Sequence, residues 1–113
     1  MSQHSDTQYL SEQGLLILIV PVSLEEAIVD LLLQRSELSG FTSSAVNGHG
    51  RHHAAGAAHL SMLEQVAGRQ KRVQFMLHAS IADLQGLLAE LKQKFSDTGM
   101  HYILLPAIEA QSI

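Results

Sequence analysis

The stretch that decides the fold is GLLILIVPVSLEEAIVDLLLQRSELSG, residues 14–40. It begins with a continuous apolar run, ended by Pro21, that is too short for a helix and rich in branched side chains. Such a run is typical of a strand that is buried on both faces. Ser23 and Glu26 then form the S-x-x-E pattern of a helix capping box, and Gly40 is a helix stop signal. We therefore predict a first strand followed directly by an amphipathic helix.

The rest of the chain continues this alternation. FTSSAV (residues 41–46), RVQFMLHA (72–79) and HYILLPA (101–107) have the branched and alternating composition of strands. Ser80 predicts the N-terminus of a second helix, and Gly86 inside that helix suggests a close approach to a sheet. The order is β-α-β-β-α-β, so we predict an α+β fold: a ferredoxin-like βαββαβ sandwich with a long loop between strands 2 and 3.

Two helices cover only one face of such a sheet. The uncovered face of a monomer would require strands that alternate between apolar and polar residues. The first strand is instead apolar at every position, and the third and fourth are mostly apolar. We therefore expect the second face to be buried against other copies of the same chain, in a closed homo-oligomer.

The composition limits the classes of function. The chain has 113 residues and no cysteine, which excludes disulfides and thiolate chemistry. Its formal net charge of −4, with only seven Lys and Arg, argues against nucleic-acid binding. We expect a polar tail, residues 1–13, before a single domain, residues 14–113. The tail lacks the features of a secretory signal, and the apolar run 15–20 is too short to cross a bilayer. We therefore expect a cytoplasmic protein without direct membrane insertion.

Residues 47–70 form a connection much longer than a hairpin requires. It carries four histidines that could bind a divalent metal such as Zn, Cu, Ni or Co, namely His49, His52, His53 and His59. Solvated loop histidines are the alternative interpretation, because no strict ligand motif is present.

Glycines and basic residues flank the same connection and could bind an anion. The backbone at Gly48 and Gly50 can approach an anion closely, with Arg51 as the counter-charge. Arg69, Lys71 and Arg72 form a basic cluster where the third strand begins. The alternatives are a flexible loop exit and a solvated charge cluster.

Three motifs resemble those of the PII nitrogen-regulatory signalling proteins: GFT at 40–42, VNGHGR at 46–51 and SDTGMHYILLPAIEA at 96–110. The resemblance covers about residues 14–109. It implies a homotrimer that is a regulator rather than an enzyme. It further implies that an effector binds in the cleft between subunits and that a target protein binds the T-loop, here residues 47–70.

The chain departs from the PII pattern at three points. No G-D-G-K phosphate-binding B-loop precedes the last strand, which argues against nucleotide binding, and His101 is the nearest match to its lysine. His52 replaces the glutamine that PII proteins use with magnesium, ATP and 2-oxoglutarate. The connection has no tyrosine for uridylylation. These departures favour a PII-like group outside the nitrogen pathway, and the histidine-rich loop favours the short group found beside heavy-metal efflux genes. The expected target is therefore a metal-efflux transporter.

Two other classes stay open. The first is a histidine-rich metal-binding or metal-chaperone module. The second is a dimeric α+β barrel enzyme of the cofactor-free monooxygenase type, although neither a G-x-S-x-G elbow nor a carboxylate cluster is present. We therefore expect no enzyme activity.

Overall fold

A computed structural model describes residues 12–50 and 69–113 of the chain. The elements follow the predicted order β-α-β-β-α-β. The strands are β1 (Gln13–Pro21), β2 (Thr42–His49), β3 (Arg69–Ser80) and β4 (His101–Ala107). The helices are α1 (Glu25–Gln34) and α2 (Ile81–Lys94), with a short 3-10 turn, Val22–Leu24, before α1.

The strands form one antiparallel sheet in the order β2-β3-β1-β4. Both helices pack against the same face of this sheet, so the predicted ferredoxin-like α+β fold is confirmed. The core lies between the helices and that face. Its largest fully buried side chains are Phe75, Leu16, Leu18, Ile28, Leu32, Leu84, Leu87 and Val20.

The opposite face of the sheet, which we call the apolar face, carries a second set of apolar side chains, among them Leu15, Ile17, Met76, Ile103 and Leu105. Directly paired residues share a face, and Ile17 pairs with Met76 on β3 and with Ile103 on β4. Met76 and Ile103 are exposed, and so is Leu105 beside them. The apolar face therefore has no cover within the described part of this chain.

The start of α1 differs from the sequence prediction. Ser23 lies inside the 3-10 turn, Leu24 is the N-cap residue, and no side chain caps the helix. The helix ends at Gln34 rather than near Gly40, because Arg35 turns to an extended conformation with ψ 107°. The predicted capping box at Ser23 is therefore wrong, although the helix exists.

The start of α2 follows the prediction. The backbone N–H of Asp83 donates a hydrogen bond to Ser80 Oγ at 3.1 Å, which satisfies one of the free donors of the first turn. The suggested role of Gly86 is wrong, because this residue is exposed and does not face the sheet. Gly14 on β1 is the close approach instead: a Cβ there would lie 3.0 Å from the side chains of Ile81 and Leu84.

β2 and β3 are longer than predicted. β2 runs to His49, and β3 begins at Arg69, three residues before the predicted start. Their pairing continues to His49 opposite Arg69, so the two ends of the β2–β3 connection (residues 50–68) lie side by side. We call the paired segments 46–49 and 69–72 the stem. The connection beyond Gly50 lies outside the described residues.

The prediction that the chain does not insert into a membrane can be compared with the lengths and compositions of the helices. Among residues 12–50 and 69–113, no helix combines the length and the apolar composition needed to cross a bilayer.

Candidate functional site

A cleft of about 690 Å³ opens at the end of the sheet where the stem begins. One wall is the stem, which contributes Gly48, His49, Gln70 and Arg72. The other wall is the last turns of α2 and residues 96–100, which we call the α2–β4 loop. The volume is in the range of small-molecule sites.

Arg72 lies between these two walls. It is only 9% exposed. Its Nη1 donates a hydrogen bond to the carbonyl oxygen of Gly99 at 2.8 Å, and its Nη2 donates to Gln70 Oε1. The guanidinium therefore joins the α2–β4 loop to the stem.

Gly48 on β2 faces the side chain of Arg72. A Cβ at Gly48 would lie 3.4 Å from Arg72 Nε and 3.6 Å from its Cγ and Cδ. These are ordinary van der Waals distances, so β2 runs beside the arginine side chain at a separation that would also admit a methyl group.

The α2–β4 loop has an uncommon backbone conformation. Asp97 has φ 60° and Gly99 has φ 86°, both in the left-handed region. The loop is tied to the end of α2 by a 2.7 Å hydrogen bond from Thr98 Oγ1 to the carbonyl oxygen of Phe95. These bends turn the Gly99 carbonyl toward Arg72.

The α2 side of the cleft adds a cation and an aromatic ring. Lys92 Nζ lies 5.1 Å from the centroid of the Tyr102 ring, at a distance suited to a cation–π contact. Both residues line the cleft, as does His101 at the start of β4. This wall therefore offers an ammonium group and an imidazole to a ligand.

The structure brings together three of the predicted effector residues, Gly48, Arg72 and His101. Arg69 and Lys71 are exposed and point to the other face of β3, because side chains alternate along a strand. They do not line the cleft. Gly50 follows β2 with φ 141°, also outside the cleft, and Arg51 lies outside the described residues. Effector binding at these positions stays a prediction.

Several lining residues were not predicted from the sequence. They include Gln70, Lys92, Asp97, Thr98, Gly99 and Tyr102. The cluster SDTG, residues 96–99, between a helix and a strand is a turn signal that could have directed attention to this loop. Nothing local in the sequence, however, places Lys92 on the same cleft as Gln70.

Only one of the four predicted metal ligands is among the described residues. His49 lines the cleft, whereas His52, His53 and His59 lie outside the described residues. Within residues 12–50 and 69–113, no group of three or more His, Asp or Glu side chains is arranged to hold a metal ion. Metal binding by the four histidines therefore stays a prediction.

Comparison with known families gives one match over nearly the whole chain. A family model described as "Protein of unknown function (DUF3240)" matches residues 10–113. No protein of curated function matches the sequence.

Solved structures share the fold. A DUF3240 family protein from Shewanella baltica OS155 superposes with a TM-score of 0.70 at 22% identity, covering 89% of this chain and 96% of the other. CPII, a nitrogen regulatory PII-like protein from Thiomonas intermedia K12 bound to ADP, AMP and bicarbonate, gives 0.66 at 16% identity, over 90% and 97%. The periplasmic divalent cation tolerance protein CutA from Archaeoglobus fulgidus gives 0.63 at 11% identity, over 88% and 87%. At these identities the likeness establishes the PII-like fold.

Proposed function

Because this chain belongs to the DUF3240 family and has the fold of PII-like proteins, we propose that it is a cytoplasmic regulatory protein that acts as a homotrimer. A small effector binds in the cleft, and a target protein binds the β2–β3 connection. The effector favours one conformation of the stem and so changes how the connection is presented to the target.

One observation carries this proposal: the base of the β2–β3 connection is itself a wall of the cleft. Gly48 and Arg72, at the two sides of the stem, both line the cleft. Any ligand that fills the cleft must therefore contact the chain close to both ends of the connection. Differential contact of this kind is what a ligand needs in order to shift a conformational equilibrium.

The apolar face supports assembly of several copies. Ile19 pairs with His101 and Gln74, so these three residues share that face, and Ile19 and His101 also line the cleft. A second copy covering the apolar face would thus reach the edge of the cleft and complete it. The number three follows from the resemblance to PII trimers.

The chemistry of the effector is open to direct measurement. The Thiomonas protein was bound to ADP, AMP and bicarbonate, whereas the missing G-D-G-K pattern argues against nucleotide here and the histidines of residues 49–59 favour a metal. We propose a small effector contacted by Gly48, Arg72 and His101. Separate calorimetric titrations with ADP, AMP, bicarbonate and Zn²⁺ distinguish these ligands.

The variant His101→Ala tests the location of binding. We expect it to weaken the binding of whichever ligand gives heat with the wild type, because the imidazole lines the cleft. Lys71→Gln is the matched control, since Lys71 lies one residue from Arg72 but points to the other face of β3. If no ligand binds, or if both variants bind as tightly as the wild type, the proposed site is wrong.

The proposed target is a metal-efflux transporter, as the resemblance to the group beside such genes implies. The test is co-purification of the tagged chain with that transporter from solubilised membranes, with and without the effector found by calorimetry. A variant in which a Gly-Ser linker replaces residues 51–68 should lose the transporter but keep its oligomeric state. Equal capture by both proteins would contradict the role of the connection.

A further inference from the structure

The two walls of the cleft belong to elements far apart in the sequence. The stem comes from β2 and β3, whereas the α2–β4 loop follows the second helix. The hydrogen bonds of Arg72 to Gly99 and to Gln70 connect these two walls. Arg72 and Gln70 are both buried, so these bonds form in a partly desolvated place where they are stronger than at the surface.

The geometry of the guanidinium makes the connection stiff. Its donors lie in one rigid plane, so a shift of the group relative to Gly99 also changes its position relative to Gln70. The same side chain lies beside Gly48, where a Cβ would meet it at ordinary van der Waals distance. A displacement of either wall is therefore passed to the other or breaks a hydrogen bond.

The loop that Arg72 contacts depends on such a restraint. Asp97 has φ 60°, and a residue other than glycine keeps such a conformation only where the surrounding structure holds it. The Arg72–Gly99 hydrogen bond is a restraint that comes from the stem rather than from the loop itself.

We propose that Arg72 is a positioning residue that couples the α2–β4 loop to the stem, so that a change in the loop alters the base of the β2–β3 connection. Its regulatory meaning rests on the proposed function. The coupling itself is a property of the chain without ligand and is measured without one.

The test is a double-mutant cycle read by hydrogen exchange of peptides that cover residues 42–49 and 69–76. Gly99→Ala strains the loop, because alanine tolerates φ 86° poorly. We expect it to speed exchange in the stem by roughly threefold or more, as for coupled neighbours. In the Arg72→Lys background, where the fork of donors is lost, we expect Gly99→Ala to leave stem exchange unchanged.

Gly40→Ala is the matched control. Gly40 also has a positive φ, 152°, and a Cβ there would meet nothing within 4 Å. Alanine is strained there too, but Gly40 lies outside both walls of the cleft, so this variant should not change exchange of residues 46–49 and 69–72 in either background. If Arg72→Lys folds poorly, Gln70→Leu replaces it in the cycle, because it removes the acceptor of the stem but keeps the arginine.

Additive effects of Gly99→Ala and Arg72→Lys on stem exchange would overturn the coupling, and so would equal effects of Gly99→Ala and Gly40→Ala. Gln70→Glu keeps an oxygen acceptor for Arg72 Nη2, so it should preserve the effect of Gly99→Ala on stem exchange that Gln70→Leu removes. That result would support the coupling further. These outcomes are independent of the calorimetric titrations, so failure of the coupling and failure of effector binding are distinguishable.

Discussion

Ile17 on β1 and Ile103 on β4 are directly paired on the sheet face opposite the helices, and Ile103 is 43% exposed. The next pair on the same face, Leu15 with Leu105, is also apolar. Neighbouring apolar pairs form a continuous surface, and a contiguous apolar surface of this kind marks an interaction site. This relationship supports the proposed assembly of several copies.

Ile103→Glu should dissociate the assembly. A carboxylate placed in an apolar interface must either lose its hydration or take up a proton. Both cost free energy, so association becomes unfavourable. Light scattering coupled to size exclusion should then give a monomer of about 12.3 kDa in place of a multiple of that mass.

Leu33→Glu is the control for this prediction. Leu33 on α1 is 69% exposed and lies away from the apolar face, so the same new charge should leave the mass unchanged. A wild-type monomer at micromolar concentration would contradict the assembly, and so would an Ile103→Glu variant with the wild-type mass.

Ser80→Ala should destabilise the protein by about 1 kcal/mol, the usual cost of a lost helix cap. The hydroxyl accepts the hydrogen bond from the Asp83 N–H, and alanine leaves that donor without it. Ser23→Ala is the matched change at the other predicted cap, where no side-chain bond caps α1. It should alter stability by no more than about 0.5 kcal/mol, as is usual at a surface position. Urea unfolding of both variants checks the difference, and equal losses would contradict it.

The two serines show what the sequence could and could not predict about the fold. Each serine is followed, three positions later, by an acidic residue. Both helices exist, so the pattern correctly located two amphipathic segments. At Ser23 the chain leaves β1 through a 3-10 turn, which takes the place of the first helical turn. The backbone conformation between the end of a strand and the start of a helix depends on packing against the rest of the sheet. A local sequence pattern carries no information about that packing.

The basic cluster shows the corresponding limit for the site. Arg72 was predicted to start β3, but the strand begins at Arg69, so the alternation of side chains extends through the cluster. Because of this alternation, the side chains of Lys71 and Arg72 point to opposite faces of the sheet. Charge alone could not separate these residues. The partner of Arg72, the carbonyl of Gly99, lies 27 positions away and requires the tertiary fold.

The ion pairs of Glu90 predict an acid-dependent part of the stability. Hydrogen bonding from Lys94 and then from Arg35 lowers the pKa of the Glu90 carboxyl. A carboxylate with a lowered folded-state pKa stabilises the protein above its unfolded pKa, and this contribution is lost as the pH falls through the folded value. The effect is modest because the side chain is 28% exposed and screened by solvent.

Glu90→Gln isolates this contribution. The wild type should melt at a higher temperature than the variant at pH 7, and the difference should shrink as the pH falls below about 4.3, the ordinary value for glutamate. The Glu37 carboxyl also has a lowered pKa, through its own backbone N–H and then Arg35, and this carboxyl remains in the variant, where the opposing effect of the Glu90 charge on its pKa is removed. A difference in melting temperature that is constant from pH 7 to pH 3 would contradict the prediction.

Gly86→Ala and Gly14→Ala should change stability in opposite directions. Gly86 lies in the exposed interior of α2, where alanine has the higher helix propensity. A Cβ there would meet only the end of the Arg35 side chain at 3.4 Å. We therefore expect Gly86→Ala to stabilise the protein by about 0.5–1 kcal/mol.

At Gly14 the same methyl group enters the contact between β1 and α2. It would lie 3.0 Å from Ile81 Cγ1 and Leu84 Cδ1, and 3.3 Å from the Leu105 carbonyl oxygen. Leu84 is fully buried and cannot move aside without disturbing the core, so overpacking should cost about 1–3 kcal/mol. Chemical unfolding measures both variants. Stabilisation by Gly14→Ala would mean that α2 sits farther from β1 than this packing requires.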